Sequence, residues 1–416
     1  MSNEKLETKR WWIAVAAVIM QLCLGSVYAW SVYKKPLMTA HGWPEFWTQF
    51  TFMICIFIIG LSAAFGGILV DKKGPKFVAT IGGILFGIGT LIAGVAAQTG
   101  SLLLLWVGFG LIAGIGNGFG YVTPIATLIR WFPDKRGLVT GLAVMGFGLG
   151  AFFIGKIVPG MIVGMGVAKT FYILGVIFLV LVTASAQMYK NPPQGWVPAG
   201  FTPPAAARSA ADSFKLNEAI STPQWWMLAA MLCLNISAGL GLLSQLSPLA
   251  QDILKKTATN PDPAALAAYL ASAGGLVLAI TSIFNGLGRL FWASLSDKIG
   301  RRNVFITMFA SQAVLYILLP QVSGIWLFTI IGCYLLACYG GGFATMPAFA
   351  ADAFGPANIG RIYGTMLIAW SVAGVAGPFV FAAPALKSKA LYVAAGMLIA
   401  GLLISLFYKK PEKKAA

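Results

Sequence analysis

One arginine stands alone in an apolar stretch. Arg289 lies in Asn285-Gly-Leu-Gly-Arg289-Leu-Phe-Trp292, eight residues before Asp297, which marks the end of that stretch. At about 1.5 Å of rise per helical residue, it sits roughly 10 Å inside the end. A cation placed there costs at least about 2.5–3.5 kcal/mol on insertion scales, so it needs a partner. No Asp or Glu falls within the apolar blocks; all twelve acids lie in connections, tails or block ends. The partner is then backbone, a polar group or a bound anion. A planar guanidinium pairs bidentately with a carboxylate, so the chemistry expected of Arg289 is capture of a small carboxylate. The plain alternative is an arginine that snorkels to the interface or bonds carbonyls.

Asn285 is one helical turn before Arg289 and shares its face. It can donate to a hydroxyl or a carboxylate, or simply hold two helices together. Tyr339 opens Tyr-Gly-Gly-Gly-Phe343, where the glycines permit bending or close helix contact. Tyr339 and Phe343 are four residues apart and also share a face. A tyrosine offers a hydroxyl while its ring excludes water, and ordinary core packing is the alternative. Metal and thiol chemistry find no support. The five cysteines fall inside apolar blocks without ligand spacing, and the one histidine, His41, lies in a short polar connection.

These residues must be positioned by membrane-spanning helices. The chain has 416 residues, 58% of them hydrophobic and 10% charged, against about a quarter charged in soluble domains. The apolar residues come in twelve blocks of about 20, long enough for a hydrocarbon core of about 30 Å. The first six run near 11–33, 47–70, 77–97, 102–129, 138–165 and 171–188. The second six run near 225–249, 264–295, 304–319, 325–349, 362–383 and 391–407. The first block reads as a permanent span, not a removable signal. Residues 191–224, rich in Pro, Ala and Ser, read as a linker. The expected organisation is 1–190 as one six-helix unit, 191–224 as a cytoplasmic linker and 225–416 as a second six-helix unit.

The net charge of +17 is spread among the connections with no continuous basic face, which argues against nucleic acid. An even number of spans puts both termini on one side. Starting inside, the inner side collects 20 Lys and Arg, including Lys5, Lys9, Arg10, Arg136, Arg208, Lys413 and Lys414. The outer side collects 8: Lys34, Lys35, Lys156, Lys169, Lys255, Lys256, Lys387 and Lys389. That asymmetry predicts cytoplasmic termini. Lys156 is expected to snorkel to the outer interface, with an anion-attracting entrance role as the alternative.

The two halves echo each other. Gly67-Ile-Leu-Val-Asp71-Lys72-Lys-Gly74-Pro-Lys76 follows the second block, and Ala293-Ser-Leu-Ser-Asp297-Lys298-Ile-Gly300-Arg301-Arg302 follows the eighth, with the aspartates 226 residues apart. A carboxylate at a helix end can cap a neighbouring helix and pair with loop bases. Gly67, Asp71, Lys72 and Gly74, with Asp297, Lys298, Gly300 and Arg301, are the expected conformational latch. This doubled pattern resembles the signature of the major facilitator superfamily. Other strings narrow the resemblance: Gly25-Ser-Val-Tyr28-Ala-Trp30-Ser-Val-Tyr33, Arg130-Trp-Phe-Pro-Asp-Lys-Arg-Gly137, Asn191-Pro-Pro-Gln-Gly-Trp196 and the Asn285–Trp292 stretch. Together they look like the oxalate/formate antiporter family, close kin of the proton-linked monocarboxylate transporters. The likeness covers nearly the whole chain.

The resemblance implies an all-α membrane protein of twelve transmembrane helices, two six-helix bundles related by pseudo-two-fold symmetry, rocking about a central site. It implies carboxylate transport in the plasma (inner) membrane, as a monomer without a cofactor and without enzymatic activity. It places Tyr28, Tyr121, Tyr339 and Phe343 on the cavity wall. Two departures matter. Proton-linked animal relatives commonly carry an acid where this chain has Asn285, so no side chain here is an obvious proton carrier. The oxalate-handling member has a second cation in helix 11, where this chain has Trp370. One fixed cation suits one carboxylate, because a dianion would leave a charge unpaired in a low-dielectric cavity. The expected cargo is a monocarboxylate such as lactate or pyruvate, carried with a proton; obligate exchange of carboxylates is the alternative.

Overall fold

The computed structural model describes residues 3–193, 196–201, 213–256, 258, 262–355 and 358–412. Arg208, Lys413, Lys414 and the side chains of Asp71 and Arg136 lie outside the described residues.

Among the described residues, twelve helices are long and apolar enough to cross a membrane: α1 (Lys5–His41), α2 (Glu45–Val70), α3 (Pro75–Thr99), α4 (Leu102–Trp131), α5 (Gly141–Met165), α6 (Val167–Gln187), α7 (Pro223–Lys255), α8 (Pro263–Ile299), α9 (Arg301–Gln321), α10 (Ile325–Phe354), α11 (Arg361–Ala382) and α12 (Lys387–Phe407). Regular structure among the described residues is helical throughout. Helices satisfy their own backbone groups, the requirement for any segment in hydrocarbon. The surface agrees: Phe65, Ile330 and Val180 are more than half exposed, as lipid-facing side chains are. Trp12, Trp226 and Trp326 are exposed near helix starts, where indole rings sit at the membrane interface. The protein is a multi-pass membrane protein with twelve spans.

Several helices are longer than the sequence blocks. α1 runs on to His41, so Lys34 and Lys35 lie on the helix and not in the connection after it. Charged residues at a span's end interrupt hydropathy before they interrupt hydrogen bonding, which is why the block looked shorter. Among the described residues, three helices are irregular away from their ends. α1 tightens into a 3-10 turn over Gly25–Ala29, α4 widens over Trp106–Ile112, and the helical ladder of α11 is interrupted at Leu367. The first and last of these lie beside Tyr28 and Trp370.

Small residues let the helices approach. A Cβ on Gly25 would overlap the Phe147 carbonyl, and one on Gly288 would overlap Ala337. In hydrocarbon such close contact replaces the hydrophobic drive that packs soluble cores. The first six spans meet the last six through α5 on α8, α2 on α11, and the second half of α1 on α7. At the α5–α8 seam, Gly155 opposes Gly275 and Gly148 opposes Gly286, while Ser282 donates to the Gly148 carbonyl at 2.7 Å.

An even number of spans leaves both termini at one end, called here the near end; the other is the far end. The duplicated connections lie at the near end. Gly74 and Gly300 occupy matching places there with φ +86° and +89°, a backbone region open essentially to glycine alone. Each lets a helix end and the next begin without an intervening loop.

Candidate substrate-binding site

Arg289 lies on α8 at the centre of the seam and is 2% exposed. Its Nε and Nη1 are buried without a hydrogen-bond partner. No ion pair involves it among the described residues. Among the described residues, its one cation–ring contact is with Phe343, whose centroid lies 5.5 Å from the guanidinium carbon. A ring face attracts a cation, at about 0.5–2 kcal/mol, which falls short of what a buried guanidinium needs.

An aromatic box surrounds it. Tyr28 meets Phe147 at 5.0 Å and Tyr339 at 5.8 Å between centroids. Tyr121 meets Phe147 at 5.1 Å and Trp370 at 5.3 Å. Phe343 meets Tyr339 at 5.6 Å and Trp370 at 5.2 Å. The rings come from α1, α4, α5, α10 and α11, so both halves supply walls. Tyr339 donates its hydroxyl hydrogen to Tyr28 at 2.6 Å, a bond that crosses between the halves. The hydroxyls of Tyr28 and Tyr121 lie close enough to Arg289 to feel its charge.

Asn285 is buried beside the arginine, and its Oδ1 has no partner. The helix approach explains the placement. Gly340 on α10 faces Asn285, and a Cβ there would come 2.7 Å from Asn285 Oδ1 and 3.0 Å from Arg289 Cγ. On the other side, a Cβ on Gly148 would come 3.2 Å from Arg289 Nε. Glycines on two neighbouring helices therefore make the space the guanidinium occupies. The indole nitrogens of Trp370 and Trp292 are also buried without acceptors. Arg289 Nε and Nη1 and the Trp370 indole thus hold donor capacity that no well-aligned acceptor meets, although the Tyr28 and Tyr121 hydroxyls lie within reach of the guanidinium, and a buried unmet donor costs about 1–3 kcal/mol.

The structure brings Tyr28, Tyr121, Asn285, Arg289, Tyr339, Phe343 and Trp370 to this one region. Sequence reasoning missed Phe147, which touches Tyr28, Tyr121 and Trp370. Its one signal was its place between Gly146 and Gly148. Tyr363, electrostatically close to Arg289 and Tyr121, was missed as well. Among the described residues, no group of three or more His, Cys, Asp or Glu is placed to hold a metal.

At the near end, Asp297 pairs with Arg301 at 2.5 Å, and Arg301 also reaches Asp352 of α10 at 3.2 Å. Arg301 donates to Ser296 as well. This ties the α8–α9 connection to α10, and Asp352 is a member that the repeated motif did not reveal. Lys298 and Lys72 are exposed, and Gly67 lies against Val122. In the first half, Arg10 bonds Asp134 at 2.8 Å and Glu7 at 2.6 Å.

The profile of the Major Facilitator Superfamily matches residues 13–286 and 263–416. The chain belongs to the major facilitator superfamily, a family of transporters. Its relatives include the uncharacterised MFS-type transporter YhjX of Escherichia coli (strain K12), 27% identical over 90% of this chain and 88% of that protein. The oxalate:formate antiporter of Oxalobacter formigenes is 29% identical over 88% of this chain and 83% of its own length. Apicoplast pyruvate carrier 1 of Toxoplasma gondii is 24% identical over 87% of this chain and 82% of that carrier.

Proposed function

We propose that this protein carries small monocarboxylate anions of the lactate and pyruvate class across a plasma (inner) membrane by alternating access, with its termini cytoplasmic. The observation that carries the reading is the unpaired, buried guanidinium of Arg289 inside a box of aromatic rings and unmet donors. The relatives named for oxalate, formate and pyruvate support small carboxylates as the broader class of cargo.

The anion enters between residues 1–190 and 225–416, the two rocking units, with 191–224 as the linker. Its carboxylate pairs with Arg289, and Asn285 and the tyrosine hydroxyls take a hydroxyl or keto oxygen. Neutralising the guanidinium lowers the cost of closing the cavity, so loaded carrier reorients more readily than empty carrier. The Tyr28–Tyr339 bond closes over the site and must break when the halves part. The near-end network around Asp297, Arg301 and Asp352, with Gly67, Asp71, Lys72, Gly74, Lys298 and Gly300, acts as the latch of one state. The protein acts as a monomer, without a cofactor and without catalysis. The proton that accompanies uptake rides with the substrate carboxylate, through water or through a tyrosine, because the site has no acid among the described residues.

The test is uptake of labelled lactate by reconstituted protein, with oxalate, formate, pyruvate and acetate as competitors, at two external pH values. Arg289→Gln is expected to abolish saturable uptake; full retention would overturn the central assignment. A second reading, obligate carboxylate exchange, is favoured by the full-length likeness to the oxalate:formate antiporter. An exchanger requires anion inside the vesicle, whereas a symporter responds to a proton gradient.

A further inference from the structure

A second charged site lies at the far end, about 9 Å beyond Tyr28 along α1 by its six-residue separation. A cavity of about 350 Å³ opens there between the halves. Lys34 of α1, 1% exposed, donates to Glu45 of α2 at 2.8 Å and to Gln245 of α7. Glu45 uses its other oxygen to accept from Lys387 at the start of α12. Lys35 pairs with Asp252 of α7 at 2.7 Å. Glu45 and Lys387 belong to opposite halves, as do Lys35 and Asp252, so both pairs tie the halves together.

Three lysines face two carboxylates, which leaves one excess positive charge around the cavity. Gln245 is 4% exposed, and its Oε1 is taken by Lys34. Its Nε2, a donor, is buried with no acceptor. Donors in surplus and charge in surplus both call for an anion. The acceptor already present, Glu45, is itself a carboxylate, the group the proposed substrate carries.

We propose that this cavity is an entrance site for the substrate carboxylate, which takes the place of Glu45 at Lys387 and so releases one of the ties between the halves. The proposal rests on the carboxylate reading of Arg289. Once displaced, Glu45 stays with Lys34 in its own half, and Lys387 moves off with the other, still holding the anion. The anion then has a path inward to Arg289. A carboxylate is thus recognised twice, first as a competitor for a bridge and then as the counter-ion of a buried cation.

The test separates the two faces of the membrane. In cells, uptake of lactate is measured as a function of external concentration, and efflux from preloaded cells as a function of internal concentration. Lys387 is half exposed at a helix start, so Lys387→Gln is expected to leave the fold intact. It is expected to raise the half-saturation concentration for uptake by about fivefold or more, the scale of one partly screened charge-assisted bond, with that for efflux unchanged. Lys387→Arg keeps the charge and is expected to restore uptake. Glu45→Gln removes the competitor and is expected to lower the external half-saturation value. An uptake change below about twofold, or equal changes on both faces, overturns the entrance site. Loss of transport in Arg289→Gln tests the central site alone, so the two readings fail separately.

Discussion

At the scale of single residues, the arrangement separates charge from shape. Arg289→Lys keeps the charge but loses the planar fork, and is expected to lower transport efficiency by about tenfold or more with the protein still folded. Trp370 closes the box opposite Tyr121 and Phe343. Trp370→Lys supplies a second cation and opens volume; competition by oxalate against lactate uptake is expected to rise, and unchanged competition would show that the ring does not exclude dianions. Arg289 was legible because a lone charge in an apolar run has few explanations. Phe147 was not, because one of 28 phenylalanines carries no mark of its own. The burial of Lys34 was hidden for a different reason. Its partners, Glu45 and Gln245, are 11 and 211 residues away, and a lysine near a span's end looks the same whether it faces water or a buried glutamine.

At the scale of the helix, glycine sets the distances on which the site depends. Gly340→Ala would drive a methyl group into the Asn285 carbonyl and the Arg289 stem. Overpacking of this kind costs about 1–3 kcal/mol, so a lower unfolding temperature in detergent is expected together with weaker lactate binding. Gly160 faces open space, and Gly160→Ala is the control expected to change neither. The existence of twelve spans was readable from length and apolarity alone. Their irregularities were not. The 3-10 turn at Gly25–Ala29 and the interruption at Leu367 leave hydropathy untouched, since neither changes which residues are apolar. Gly148 and Gly155 of α5 carry no mark in the sequence of which helix they meet. That α5 meets α8 through Gly148 and Gly155 is a property of the assembled bundle.

At the scale of the whole molecule, the charged contacts divide the two ends. Lys35–Asp252 and Lys387–Glu45 bridge the halves at the far end. At the near end, Arg10–Asp134 and Arg301–Asp352 each stay within one half. The structure is therefore tied shut at the end away from the termini. Spin labels flanking the far-end cavity on α2 and α12 are expected to move apart in Glu45→Gln, and an unchanged distance distribution would mean that the seam's packing alone holds that end. The lack of an acid near Arg289 among the described residues has one more consequence. On the proposed mechanism the empty protein returns with one uncompensated positive charge at its centre, and the protein holding a carboxylate together with its proton carries that same charge inward. Membrane voltage, at about 2.3 kcal/mol per unit charge per 100 mV, then acts on both limbs with opposite sign and cancels over the cycle. Net uptake of lactate with a proton is expected to ignore an imposed potential, whereas uptake of the anion alone would follow it.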